Sequence, residues 1–408
     1  MKKRTCIFSC LLCLMIFLNG CMRSGAKREL EALAVVMGIA IDKTDEKSET
    51  GSERFLLTAQ VVRNIAISQN SSKSEGGGSA AEGDLSRPYW NVQVTGTDLL
   101  EALRSAVHIT NRRLYVAQNQ ILVIGKELAE DGIAKYLDYF FRDHETRYDV
   151  SLIVSEGKAS EILNIESHLE SLPAQDLNKL IARQQDDSHA PRCTLFSFLR
   201  DYKTPYKSSL VPMVRVAAPE NAENQSPYLY VAKSAVFKED KMVAELDERQ
   251  TRGALWMLGE VQRGVMALNY EGIDVAIEIL DGSGNYQVEY SDGRIKVKAD
   301  IKMTGSLGEL QGSRTVDASV MDALEKTCAG AIEAEIRSAF REMQLNGADV
   351  LGIGEAFYRY RPQTWKTIAN HFESLYPAAE LECRIDADII RTGSLMEPAD
   401  ENGSEAYD

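Results

Sequence analysis

The stretch VDASVMDALEKTCAGAIEAEIRSAFREMQL, Val316 to Leu345, sets Val316, Val320, Leu324, Cys328, Ile332, Ile336 and Phe340 on one four-residue row. Apolar residues at that spacing predict a long amphipathic helix with one face laid on a sheet. A strict row of four drifts around a helix of 3.6 residues per turn, so the buried stripe wraps slowly. The sheet to receive it is expected just upstream. Strands Val265–Asn269, Ile273–Leu280, Tyr286–Tyr290 and Arg294–Thr304 are separated by turn residues, among them Asp281-Gly282-Ser283-Gly284 and Ser291-Asp292-Gly293. That is the pattern of an antiparallel meander. A helix near Glu248–Leu258 precedes it. After it come a helix beginning past Pro362, with Trp365, Ile368, Phe372 and Leu375, and a final strand Glu380–Ile390. Residues 228–393 thus read as a C-terminal α+β domain: an antiparallel sheet with a long amphipathic helix. The hairpin Tyr228–Phe237/Met242–Leu246 opens it, and an acidic tail, 394–408, with too little apolar surface to fold, closes it.

Upstream the pattern alternates. A short helix Lys27–Leu33 runs into strands Ala34–Asp42 and Phe55–Arg63; strand Tyr89–Val94 and helix Asp98–Ile109 follow, with Leu99, Ala102, Leu103, Ala106 and Val107 on one helix face. Strand Leu114–Ile124, helix Glu127–Arg142 and strand Tyr148–Val154 continue the series. Short helices at Ala159–Ile165, Ala174–Gln185 and Leu195–Arg200 and a strand Leu210–Val216 end it. Such alternation places helices on a mixed sheet. Residues 21–218 therefore read as an N-terminal α/β region, with room for two subdomains. A Ser/Gly/Glu-rich insertion at 69–87 has nothing to bury. The polar, proline-bounded Pro219–Pro227 is the expected boundary.

The first residues carry an address. Lys2, Lys3 and Arg4 precede an apolar run, Ile7 to Leu18, too short for the roughly 20 apolar residues of a membrane span. Residues 1–20 read as a signal peptide. Leu18-Asn19-Gly20-Cys21 adds a second meaning, since a cysteine after Leu-x-Gly can receive diacylglycerol and become the new N-terminus. Two acyl chains give stable attachment where one is marginal. The expectation is a protein lipid-anchored through Cys21 to the outer face of the plasma membrane; an ordinary signal peptide with a chance cysteine is the plainer alternative. Cleavage removes three cations and no acid, taking the formal charge from −15 to −18. Nucleic acid needs a basic face and is excluded as a partner. A broad electrostatic contact with anionic lipid is disfavoured for the same reason.

Catalytic motifs are missing. The five histidines (His108, His144, His168, His189, His371) show no ligand spacing, and His108 follows the buried face of its helix, the place of a satisfied or peripheral histidine rather than a base. Gly282-Ser283-Gly284 has the wrong spacing for a nucleophile elbow, and Gly352-Ile353-Gly354 lacks the third glycine of a dinucleotide loop. Beyond Cys21 only Cys193, Cys328 and Cys383 follow the signal, with no C-x-x-C pair and hence no zinc or disulfide framework. Cys328 and Cys383 read as buried free thiols. No cofactor other than the covalent diacylglycerol is expected, and no enzyme.

Several segments carry a resemblance. Arg28-Glu29-Leu30-Glu31-Ala32-Leu33-Ala34-Val35-Val36-Met37-Gly38-Ile39-Ala40-Ile41-Asp42 opens the series. Arg113-Leu114-Tyr115 through Ile124-Gly125-Lys126-Glu127-Leu128-Ala129 follows, then Arg142-Asp143 and Arg147. Gly305-Ser306-Leu307-Gly308-Glu309, Ala348-Asp349-Val350-Leu351-Gly352-Ile353-Gly354, Pro362-x-x-Trp365 and Ile390-Arg391-x-Gly393 complete it. In this order, behind the lipid-attachment motif, they resemble the Ger(x)C family, the lipoprotein C subunits of spore germinant receptors. Met22-Arg23-Ser24 departs from the tryptophan and acid that members often carry after the cysteine, and the 69–87 insertion is unusual.

The resemblance implies a mixed α/β, multi-domain, non-catalytic subunit on the outer surface of the spore inner membrane. It implies membrane A and B subunits as partners, a role in nutrient-triggered germination, and a nutrient bound elsewhere in the complex. Arg28 and Glu29, close to the anchor, are candidates for partner contact. Asp349 reads as a turn cap, Pro362 as a helix start and Trp365 as core. A solute-binding lipoprotein of an importer is the competing reading; it would need two similar lobes around a cleft, whereas the two halves differ in pattern.

Overall fold

Strand β1 (Leu33–Lys47) lies inside a nine-stranded mixed sheet. Its path is β3 (Tyr89–Gly96), β2 (Glu53–Val62), β1, β5 (Ile121–Gly125), β6 (Ser151–Ser155), β7 (Ser209–Ala217), β8 (Tyr228–Lys238), β9 (Lys241–Leu246), with β4 (Arg113–Tyr115) also paired to β1. The computed structural model describes residues 32–47, 51–63, 87–218, 226–310 and 316–391. The signal peptide, Cys21, Arg28 and Glu29, helix 27–33 up to its last two residues, insertion 69–87 but for Arg87, and the tail 394–408 lie outside them.

β1, β5, β6 and β7 are mutually parallel, and the flanking strands antiparallel. The parallel strands are covered on both faces, which is why Ile121-Leu122-Val123-Ile124 and Leu152-Ile153-Val154 read as unbroken apolar runs. On one face Leu122, Ile124, Leu152 and Val154 pack against α1 (Leu99–Ser105), α2 (Lys126–Asp131), α3 (Ala134–Arg142) and α6 (Leu195–Lys203). On the other, Ile121, Val123 and Ile153 pack against α4 (Ala159–Asn164) and α5 (Pro173–Asp187).

The second sheet holds β10 (Gly264–Tyr270), β11 (Ile273–Ser291), β12 (Arg294–Leu310) and β13 (Glu380–Arg391) in that order. α7 (Glu248–Leu258) and α8 (Ala318–Leu345) cover one face. Asp317 caps α8, and Val320, Leu324, Cys328, Ile332, Ile336 and Phe340 of the expected row are buried. α9 (Ile353–Tyr360), α10 (Pro362–Ile368) and α11 (Phe372–Leu375) lead back to β13. The architecture is mixed α+β, as the sequence implies.

Several elements differ from the sequence reading. The strand expected at Leu114–Ile124 is two strands, β4 and β5, joined through a 3-10 turn at Val116–Gln118, so both can pair with successive parts of β1. Helix Glu127–Arg142 breaks at Gly132, whose φ of 119° ends α2 and which alanine-like residues rarely adopt. α1 gives way after Ser105 to a 3-10 turn, leaving Val107 exposed rather than packed and His108 at the periphery. The hairpin β8–β9 forms, but β8 pairs with β7, so the first sheet continues past residue 218. The turn expected at Asp281–Gly284 is absent. β11 runs straight through it with a bulge near Leu280, because Gly282 and Gly284 serve packing: a Cβ on Gly282 would stand 2.8 Å from the Trp256 ring, and one on Gly284 would collide with the Trp256 carbonyl. β13 joins β12 in parallel, so the C-terminal sheet is mixed rather than antiparallel. Helices α8 to α11 form the crossover that a parallel return requires.

Candidate functional site

The two sheets meet at a seam built from residues 203–208, which lead into β7, and residues 347–376, which lead toward β13. Its centre is Asp349, buried just after α8. One carboxylate oxygen accepts the Gly352 and Ile353 amides at 2.9 Å each, and the other the Gly354 amide at 2.8 Å. The side chain therefore caps the N-terminus of α9, where amide donors and the helix dipole favour negative charge. Burial nonetheless pushes its pKa up to about 6; the three amide bonds and Lys207 oppose the shift. The Asp349 carbonyl accepts the Ser208 amide at 2.9 Å, stitching the loop before β7 to the second sheet's unit.

Around that stitch charges and rings alternate. Lys207 Nζ lies 3.2 Å from Glu355 on α9 and 3.6 Å from Asp201 on α6, and Arg359 lies 2.6 Å from the other Glu355 oxygen. Tyr206, at a left-handed φ of 64°, sets its ring edge-on to Trp365 (5.1 Å) and Phe372 (5.4 Å). Non-glycine residues enter that region at a cost, which the surrounding rings hold in place. Gly354 leaves the room this requires, since a Cβ there would sit 3.0 Å from Tyr206 Cβ. Tyr376 stacks on Phe372 and donates its hydroxyl to the Ala348 carbonyl at 2.9 Å; Tyr286 on β11 donates to the Leu351 carbonyl.

Two cavities of about 480 and 490 Å³ open on either side of residues 203–206. The first is faced by Lys203, Lys238, Glu239 and Glu373, the second by Tyr358, Arg359 and Trp365. Tyr358 and Tyr360 are 65% and 76% exposed. Aromatic and arginine side chains grouped in this way are the types that carry binding energy at protein interfaces. Among the described residues no group of three His, Cys, Asp or Glu could hold a metal ion. Burial pushes the Cys193 and Cys328 thiols up to about 12, so neither offers a thiolate at neutral pH. Cys328 is buried as expected, and Cys383 on β13 is half-buried.

Comparison with known proteins fixes the family. Residues 26–216 match the description "Spore germination protein N-terminal domain" and residues 232–393 match "Spore germination B3/GerAC like, C-terminal". The chain belongs to this GerAC-like family of spore germination proteins. It is 24% identical to Bacillus subtilis "Spore germination protein KC" over 97% of this chain and 98% of that one. It is 26% identical to "Spore germination protein YndF" of the same organism, over 94% and 95%. The crystal structure of the GerBC protein superposes with a TM-score of 0.52, at 17% identity, over 86% of this chain and 97% of that one.

Within this GerAC-like chain the segments that carried the resemblance have visible structural work. Asp42, at the end of the first segment, is buried and accepts the Ala159 and Ser160 amides at 2.6 and 2.8 Å, capping α4 from across the sheet. Asp349 is a cap, as expected, but of helix α9 rather than of a turn, and Pro362 begins α10. Trp365 is half-buried at the seam rather than in the core. No local pattern brings residues 203–208 to the 349–376 segment, and α9 lies outside the helices that periodicity predicts, although Asp349 three residues before Gly352 is the spacing of a helix cap.

Proposed function

We propose that this chain is the lipid-anchored C subunit of a nutrient germinant receptor, held by a diacylglycerol on Cys21 at the outer face of the spore inner membrane. It works there without catalysis, beside membrane A and B subunits, with the nutrient bound elsewhere in the complex. The observation that carries this reading is the extent of the family match, which starts five residues after Cys21 and runs to residue 393 across both sheets. Topology supports it. β1, β5, β6 and β7 are parallel and in register, so the start of β1, nearest the anchor, and the 203–208 loop before β7 lie at the same end of the first sheet. A tether and a recognition seam at one end suit a subunit that meets membrane partners. The two sheets differ in strand number and order, which counts against the paired lobes of a solute-binding protein.

Spores carrying Cys21→Ala in place of the native gene test the reading. They should form normally, keep the protein out of the membrane fraction, and lose or slow the response to at least one nutrient among amino acids and sugars. Membrane retention with an unimpaired response to every nutrient would refute the anchor and its role.

A further inference from the structure

The end of the first sheet where β1 begins carries a surface that the receptor assignment does not account for. Val107 and Ile109, between α1 and β4, are 53% and 50% exposed, and Tyr148, just before β6, is 45% exposed. Leu33 pairs with Arg113 and Ile121 with Ser151, so these residues share the end of the sheet at which the chain enters from Cys21. Charge at this end is not balanced. Arg113 is paired with Glu145 at 3.3 Å, Arg147 with Asp149 at 2.5 Å and Arg142 with Asp138 at 2.7 Å. Arg104 and Arg112 are exposed and carry no ion pair among the described residues. A chain whose formal charge is −15 thus shows two arginines without an ion pair beside two half-exposed aliphatic side chains.

The anchor limits how far this surface can sit from a bilayer. Leu33 is the twelfth residue after Cys21, and that stretch even fully extended spans at most roughly 40 Å. Apolar side chains flanked by arginine, with a tyrosine at the margin, are the composition that settles at a lipid head-group layer.

We infer that Val107, Ile109 and Tyr148, with Arg104 and Arg112, form a membrane-docking face that seats the β1 end of the first sheet on anionic lipid. This rests on the anchor proposed above for placement but not for its chemistry. Arg104 and Arg112 meet lipid phosphates, while Val107 and Ile109 enter the head-group boundary. Docking would replace a free tether with a fixed orientation and bring the seam at residues 203–208 to a set height above the membrane.

The test uses the full chain with lipidated Cys21, reconstituted in vesicles of phosphatidylglycerol and phosphatidylcholine containing brominated acyl chains. A tryptophan introduced by Ile109→Trp should be quenched beyond the background of Trp90, Trp256 and Trp365. One introduced by Lys302→Trp, on the open face of the second sheet, should not be. The unlipidated full chain (Cys21→Ala) gives the second arm. Its partition onto phosphatidylglycerol vesicles should fall about fivefold for each of Arg104→Gln and Arg112→Gln, since one cation near an anionic surface contributes about 1 kcal/mol. Partition onto pure phosphatidylcholine should not change between variants. Absence of Ile109→Trp quenching in the lipidated protein, or shielding that appears only when membrane subunits are present, would overturn the inference; the latter would mark a protein interface. Mass spectrometry finding Cys21 unmodified would refute the anchor alone, and the fivefold pattern of the second arm would still decide the face.

Discussion

Alanine at Gly253 should destabilise the protein, whereas alanine at Gly330 should stabilise it. Both glycines lie inside helices, α7 and α8, where alanine is favoured over glycine by about 0.8–1 kcal/mol. Gly330 is exposed, and a Cβ there meets nothing within 4 Å, so only the propensity gain is felt. Gly253 is buried, and its Cβ would overlap the backbone carbonyl of Glu335, which neither helix can rotate aside. The helices must part, and the same crossing holds the Arg252–Glu335 ion pair, with Nε–Oε2 at 3.0 Å and Nη2–Oε1 at 2.5 Å. Overpacking costs about 1–3 kcal/mol, and stretching a buried pair adds to it. After the propensity gain a net loss of about 2 kcal/mol remains. A domain of 150–250 residues moves about 2–4 °C per kcal/mol. Differential scanning calorimetry should therefore show Tm lower by about 4–8 °C for Gly253→Ala and higher by about 2–4 °C for Gly330→Ala. A Gly253→Ala protein melting at or above wild type would refute the close-packed crossing of α7 and α8.

Three further expectations follow from buried groups. Asp349 has a folded pKa raised to about 6, so the protonated form is favoured by folding: its contribution is fully present below about pH 4 and is lost as pH rises through 6. Asp349→Asn should remove that slope, of order 3 kcal/mol, from stability measured by urea unfolding between pH 4 and 7; parallel pH profiles for the two proteins would show that the carboxyl does not titrate there. Glu335→Ala should cost about 3–5 kcal/mol by leaving the Arg252 guanidinium unpaired, whereas Arg252→Met with Glu335→Leu should cost far less; equal losses in chemical denaturation would contradict a desolvated pair. At pH 8 a thiol reagent should leave Cys193 and Cys328 unmodified in the native protein, since burial raises both to about 12; rapid labelling of Cys193 would mean that its pocket opens.

Where one local pattern dictated an element, the sequence was sufficient. Six of the seven apolar residues in the Val316 row are buried in α8, because a helix lying on a sheet must bury its stripe whatever the rest of the chain does. The apolar runs of β5 and β6 likewise announced strands covered on both faces. The misread elements are those whose local signal was overruled from a distance. Asp281-Gly282-Ser283-Gly284 has every mark of a turn, yet its glycines are there because Trp256 packs onto the strand. Gly282 and Gly284 mean close approach rather than reversal, and only the neighbouring helix distinguishes the two. The parallel placement of β13 follows from the crossover through α8 to α11, which no strand-length pattern encodes.

The seam divides in the same way. Asp349, Gly352 and Gly354 sit within six residues, so a carboxylate meeting three amides is a local event, and a cap is what the spacing predicts. Lys207 and Glu355 are 148 residues apart, and neither carries a mark of the other. Their meeting depends on β7 lying parallel to β6, which sets the 203–208 loop at the end of the sheet that faces α9. Tyr206 then takes a left-handed backbone conformation that no isolated tyrosine prefers, held by Trp365 and Phe372. A strained residue secured by contacts from the other sheet's unit couples the two units: any force that shifts α10 must also move Tyr206, and through the Ser208–Asp349 bond the start of β7. That coupling exists only once both sheets have formed.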